Sequence, residues 1–228
     1  SATAGFDIVS YTGNETNRTI SHSLSAVPKW ILFKNRAATA NWKVYHVGIG
    51  AEKWLKFDTT DAAGDSAGNF NDTEPTSSVF TVGTDAGTNG DGNLTIAYAW
   101  SEKQGFSKFG KFIGNGNADG VFCFCGFKPA VVIIKKYSAA GNDWLMTTNG
   151  TGNPQDGYIA PNEPAAEVTG SSTHPIDMLS NGFKIRGTGG GANGSGIGYI
   201  FMAFAEAPFV TGSKGVPCGG FQYFAGGG

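Results

Sequence analysis

The chain has 228 residues, of which 36 are glycine, more than twice the usual share of roughly 7%. Only 15% are charged, against a typical 25% or so, and the net charge is −2. The 17 Phe, 7 Tyr and 5 Trp exclude a disordered chain, the aperiodic glycines exclude collagen, no apolar run is long enough for a membrane helix, and no basic excess offers a nucleic-acid footprint.

In chain order, Ser1–Gly5 has neither a basic nor an apolar leader segment, so no signal peptide is expected there. Phe6–Tyr11 reads as a short strand before a turn at Thr12–Glu15. Trp30–Phe33 follows Pro28 and is apolar on both faces, as a buried central strand requires. Asn41–His46 alternates, and Lys53–Phe57 does so less cleanly. Ser78–Val82 and Leu94–Trp100 complete the strands of the first half. Helical periodicity is nowhere sustained, and Gly, Asn, Asp and Thr punctuate the runs.

The second half repeats the first. Tyr11–Asn14 returns as Phe112–Asn115, and Val27–Lys34 as Lys128–Lys135. Asn41-Trp42 returns as Asn142-Asp143-Trp144, and Ser78–Gly83 as Gly182–Arg186. Asn89-Gly90, Ala99-Trp100 and Glu102 return as Asn193-Gly194, Ala203-Phe204 and Glu206. Matched islands in one order indicate a tandem repeat. The expected architecture is all-β: two homologous repeats, each a small antiparallel β-sandwich of jelly-roll type, packed together. Residues 1–104 form the first repeat, 105–209 the second, and 210–228 a glycine-rich tail.

Few residues invite chemistry. Trp54 lacks a firm repeat partner and sits between Lys53 and Lys56, so it is the first candidate for an exposed, ligand-binding aromatic. Tyr158, in the loop-rich second half, is the other. Trp30, Trp100, Trp42 and Trp144 read as packing residues, the last two because they are repeat-equivalent. The acidic loops Asp58–Asp65 and Asp85–Asn93 read as turns: the second lacks carboxylates at two EF-hand ligand positions, and its repeat counterpart has none. Cys123 and Cys125 share a strand face and read as buried hydrophobes, and with Cys218 they make an odd count that argues against a disulfide scaffold. No metal and no cofactor are expected. Glu102 and Glu206 could supply the paired carboxylates of glycoside hydrolysis, but one in each repeat fits the same local task done twice. His22, His46 and His174 accompany no nucleophile elbow, so no catalytic residue is assigned and the chain is expected not to be an enzyme.

The segments Gly105–Gly116, Asp119-Gly120, Gly126–Ala130, Leu179–Lys184 and Ala203–Phe209 resemble an uncharacterised β-rich repeat domain. That domain occurs in virion and tail-fibre proteins of bacteriophages, mainly marine ones, often next to concanavalin-like (LamG-type) domains. Phe6–Gly13 and Thr73–Gly83 fit the same pattern, so the resemblance covers nearly the whole chain. It implies a virion structural protein on a phage tail or capsid surface, acting in host attachment as a tail-fibre, receptor-binding domain. The expected partners are other virion proteins, further copies of itself in a homotrimer, and a host cell-surface glycan. Nucleic acid and membrane insertion are not expected. A purely structural capsid-decoration or tail-spacer protein, and a secreted carbohydrate-binding module or depolymerase, remain the alternatives.

Overall fold

A computed structural model describes residues 4–150 and 152–206. The tail assigned to 210–228, with Cys218, lies outside the described residues. The first half contains β1 (Phe6–Thr12), β2 (Arg18–Ser21), β3 (Pro28–Asn35), β4 (Lys43–His46), β5 (Lys53–Lys56), β6 (Gly64–Asp65), β7 (Val79–Val82) and β8 (Leu94–Ser101). Two single helical turns flank β7: α1 (Ala67–Phe70) and α2 (Ala86–Asn89). The second half contains β9 (Ser107–Ile113), β10 (Phe122–Phe124), β11 (Val131–Lys136), β12 (Leu145–Thr148), β13 (Ile176–Leu179), β14 (Gly182–Ile185) and β15 (Gly198–Phe204). The fold is all-β, and the strand pairings are antiparallel. No helix among the described residues is long and apolar enough to cross a membrane.

Both halves use one strand order. The large sheet of the first half runs β1-β8-β3-β4-β5-β6, and that of the second runs β9-β15-β11-β12. Each is backed by a small sheet, β2-β7 in the first half and β10-β14-β13 in the second. The alternation of side chains along each central strand then divides the core into three. In β3, Ile31 and Phe33 face the small sheet, where Phe80 and Val82 of β7 meet them. Trp30 and Leu32 of the same strand face the other way, onto Ile133, Ile200 and Met202 of the second half. In β15, Tyr199, Phe201 and Ala203 turn instead to the second small sheet, against Phe183 and Ile185. The layers therefore stack small, large, large, small. The central strands of each large sheet are buried on both faces, which is why β3 and β11 read as unbroken apolar runs.

Turn glycines fix the same corner in each half. A Cβ on Gly13 would lie 2.1 Å from the Gly90 carbonyl oxygen, and one on Gly114 would lie 2.4 Å from that of Gly194. Only glycine lets the two backbones approach so closely. The loop Asp85–Asn93 departs from a plain turn, because Asp85 caps α2: its Oδ1 accepts from Gly87 N at 2.8 Å. Ser66 caps α1 in the same way, accepting from Gly68 N at 3.2 Å. Both Cys123 and Cys125 are buried and free, with Cys123 on β10.

Polar contacts stitch the halves along the central seam. His46 at the end of β4 donates from Nε2 to the Phe201 carbonyl, 3.2 Å away. Ala63 N donates to Tyr137 O at 2.9 Å and Gly141 N to Thr60 O at 2.9 Å. The Trp144 indole donates to Lys56 O at 2.9 Å, and Lys135 Nζ reaches Thr59 O at 3.4 Å.

Candidate functional site

Trp54 lies on β5 with Lys43 Nζ 3.6 Å from its ring centroid and Lys56 Nζ at 5.7 Å. Its cross-strand partner on β6 is Gly64, where a Cβ would fall 2.6 Å from the indole. The ring fills the space this glycine leaves, and its Nε1 is buried without a partner. Lys43 is anchored in turn by Asp85, 3.4 Å away. Trp54 is thus half-buried and braced on several sides. Tyr158 is also half-buried, its backbone bridged to Val168 and its ring set edge-on to His174 at 5.3 Å. The structure does not bring Trp54 and Tyr158 together: one packs on the first-half core, the other on the second.

The remaining polar candidates are held by local partners. Asp61 pairs with Lys56 at 2.7 Å and Asp65 with Lys53 at 3.4 Å, while Asp58 accepts from Trp42 N. The carboxylates of that loop point to separate tasks. Glu102 pairs with Lys108 at 2.8 Å; Glu206, at the corresponding place in the second half, is exposed. His22 lies parallel to Phe80, and burial lowers the His174 pKa beside Thr173 and Ser171. Burial pushes the Cys123 and Cys125 thiols upward, which makes them poor nucleophiles. No group of three or more His, Cys, Asp or Glu among the described residues is placed to hold a metal ion.

The candidate site lies on the seam, where two equivalent tryptophans are treated differently. Trp42 and Trp144 each immediately precede the strand paired beside the central one, β4 and β12. Trp144 is fully buried, packed on Phe57 with centroids 4.9 Å apart. Trp42 is half-buried, near-parallel to Tyr98 at 6.2 Å, and lines a cleft of about 230 Å³. Leu32, Phe57 and Asp58 of the first half and Pro161 and Asn162 of the second form the other walls.

The second-half wall is rigid. Asn162 Oδ1 accepts from Trp144 N at 2.8 Å, and its Nδ2 donates to Asp143 Oδ1 at 2.8 Å. Opposite it, Asp58 Oδ2 accepts from Trp42 N at 3.2 Å, while Oδ1 is buried with no hydrogen-bond partner. An aromatic plane, a carboxylate with an unused lone pair and a fixed amide therefore meet in one small concavity. Such a site can hold a compact ligand with one apolar face and a ring of hydroxyl donors. Sequence equivalence hid it: Trp42 packs on the seam core and on Tyr98, as the repeat suggests, but unlike Trp144 it is only half-buried and also lines the cleft.

A larger cleft, about 360 Å³, opens at the other end of the β4–β5 hairpin between Lys53, Lys111 and Tyr137. The backbone that walls it has spent its donors: Gly48 N and Ile49 N both bond to His46. It offers two lysines, one of them paired with Asp65, and no convergent set of polar groups. The smaller cleft is the chemically richer one.

Comparison with known proteins places the chain by family alone. No curated protein and no solved structure matches it. Residues 1–208 match the model of a family described as a domain of unknown function, DUF7483, and the chain belongs to that family.

Proposed function

We propose that this chain is a non-catalytic, glycan-binding segment of a bacteriophage virion, acting in host attachment as part of a tail fibre. The virion origin rests on the sequence resemblance. The observation that carries the binding reading is the Trp42 cleft, where the indole and the Asp58 carboxylate of the first half face Pro161 and Asn162 of the second. The non-catalytic reading is supported by Glu102, whose carboxylate is engaged by Lys108 and by Phe109 N. Central strands buried on both faces suit a rigid scaffold that presents loops outward.

One observation favours the second reading, a structural protein packed against another virion component. Phe122 and Phe124 stand 42% and 61% exposed on β10. An aromatic pair left open on a sheet face marks a contact surface.

Retention of labelled protein on a panel of bacterial surface polysaccharides tests the adhesin reading. Retention without release of reducing ends is expected. Failure to be retained on any of them, with immunogold labelling along the virion, would establish the structural reading instead. Release of reducing ends that Glu102→Gln abolishes would show a depolymerase.

A further inference from the structure

The Trp42 cleft has features that narrow its ligand. We propose that it is a subsite for one uncharged pyranose ring, with Trp42 as the platform and Asp58 accepting ring hydroxyls and turning away acidic sugars. This assignment rests on the glycan-binding reading above and specifies the sugar class that reading leaves open.

Size is the first argument. At about 230 Å³ the cleft is below the roughly 300–1,000 Å³ of pockets that enclose drug-sized ligands, so it takes one ring rather than a chain. A glycan enters it through a terminal or protruding residue.

The platform is the second. The Trp42 indole rests near-parallel to Tyr98, with Lys34 Nζ 5.5 Å from its centroid. Lys34 is held by the Ala40 carbonyl at 2.6 Å. The ring is thereby fixed before any ligand arrives, which lowers the cost of ordering on binding. The π face is electron-rich and attracts the weakly positive C–H face of a pyranose.

Electrostatics supplies the third. Of the six lining residues only Asp58 is charged. Its Oδ1 is closed off from solvent, so the oxygen that meets a ligand is Oδ2, which accepts from Trp42 N and keeps a second lone pair. Sugar hydroxyls are donors to that lone pair. A second carboxylate, as in a uronic acid, repels Asp58 in a setting where water screens poorly. Asn162, with its amide committed to Trp144 and Asp143, gives shape and no counter-charge.

Saturation-transfer NMR on the whole chain tests this with glucose, galactose, mannose and N-acetylglucosamine, and with glucuronate as the acidic probe. Transfer to at least one neutral sugar is expected, with none to glucuronate. Trp42→Leu, which keeps apolar packing on Tyr98, should weaken binding at least tenfold. Asp58→Asn, which can still accept from Trp42 N, should admit glucuronate. No transfer to any neutral sugar, or equal transfer in Trp42→Leu, overturns the subsite. Polysaccharide retention by the wild type that is unchanged in Trp42→Leu also overturns the subsite but leaves the adhesin reading standing. Neutral sugars bound through Trp42, with no polysaccharide retained, uphold the subsite and defeat the adhesin reading.

Discussion

Asn89 and Asn193 make the same set of hydrogen bonds in the two halves. Asn89 Nδ2 donates to Asn14 Oδ1, Thr16 O and Gly83 O at 3.2, 2.8 and 2.7 Å, and its Oδ1 accepts from Asn14 N at 3.2 Å. Asn193 Nδ2 donates to Asn115 Oδ1, Asn117 O and Gly187 O at 3.0, 2.8 and 2.9 Å, and its Oδ1 accepts from Asn115 N at 3.0 Å. Each asparagine is fully buried and ties a strand-exit turn to the loop before the last strand. Replacing either with alanine takes this partner from a buried carbonyl, Gly83 O or Gly187 O, and cuts the ties to an exposed turn. Urea unfolding should show losses of about 1–3 kcal/mol for each of Asn89→Ala and Asn193→Ala. A loss below about 1 kcal/mol in one variant alone would show that the two knots do not play equivalent parts.

The two small sheets differ in what they expose to solvent. On β2, Ile20 pairs with Phe80 and points inward, leaving Thr19 and Ser21 exposed. On β10, Cys123 pairs with Phe183 and points inward, and the exposed flanking places hold Phe122 and Phe124. The first half shows that the scaffold does without the phenyl rings. The double substitution Phe122→Thr with Phe124→Ser should therefore change stability by less than about 0.5 kcal/mol, as at other exposed sites. A loss above about 2 kcal/mol in chemical denaturation would make the two rings part of the fold rather than of an interface.

Much of this architecture is legible in the sequence because its signals are local. Turn residues, period-2 alternation and the unbroken apolar run of β3 locate β1, β3, β7 and β8, and the matched islands align Gly13 with Gly114 and Asn89 with Asn193. The site is not legible in that way. The environments of Trp42 and Trp144 are set by residues from the opposite half, Pro161 and Asn162 for one, Lys56 and Phe57 for the other. No spacing rule carries that information. Trp54 misleads for the same reason: its flanking lysines suggest exposure, but Lys43, one strand away on β4, brings its ammonium onto the ring.

His46 gives the seam a pH dependence. It is fully buried; Gly48 N donates to its Nδ1 at 2.9 Å, so Nε2 carries the proton that reaches Phe201 O. Burial lowers its pKa from 6.5 to about 4. Between those values the unfolded chain binds a proton that the folded chain refuses. Stability from this residue is complete above pH 6.5 and is lost as the pH falls toward 4, by about 3 kcal/mol over the full window. His46→Gln, which can still donate to Phe201 O, should flatten the difference in urea midpoint between about pH 7 and about pH 4.5. An unchanged slope would mean that other acids, Asp7 among them, carry the acid sensitivity.

Trp54 and Trp42 separate stability from binding. Trp54 packs against the first-half core, under Lys43 and against Gly64, so its loss opens a cavity and leaves Lys43 with Asp85 but without its ring contact. Trp54→Ala should cost about 3 kcal/mol of unfolding free energy. The cleft itself is built from Trp42, Phe57, Asp58 and Asn162, none of which Trp54 contacts by hydrogen bond or ring stacking. At a temperature where the variant stays folded, its neutral-sugar signal should match the wild type. Trp42→Leu should show the reverse, lost sugar signal at a stability cost of no more than about 2 kcal/mol, since the half-buried ring gives way to a smaller apolar side chain that keeps part of its packing. If Trp54→Ala abolishes sugar binding while its near-ultraviolet circular dichroism and unfolding midpoint remain native, the platform is Trp54 and the cleft at Trp42 is a packing defect of the seam.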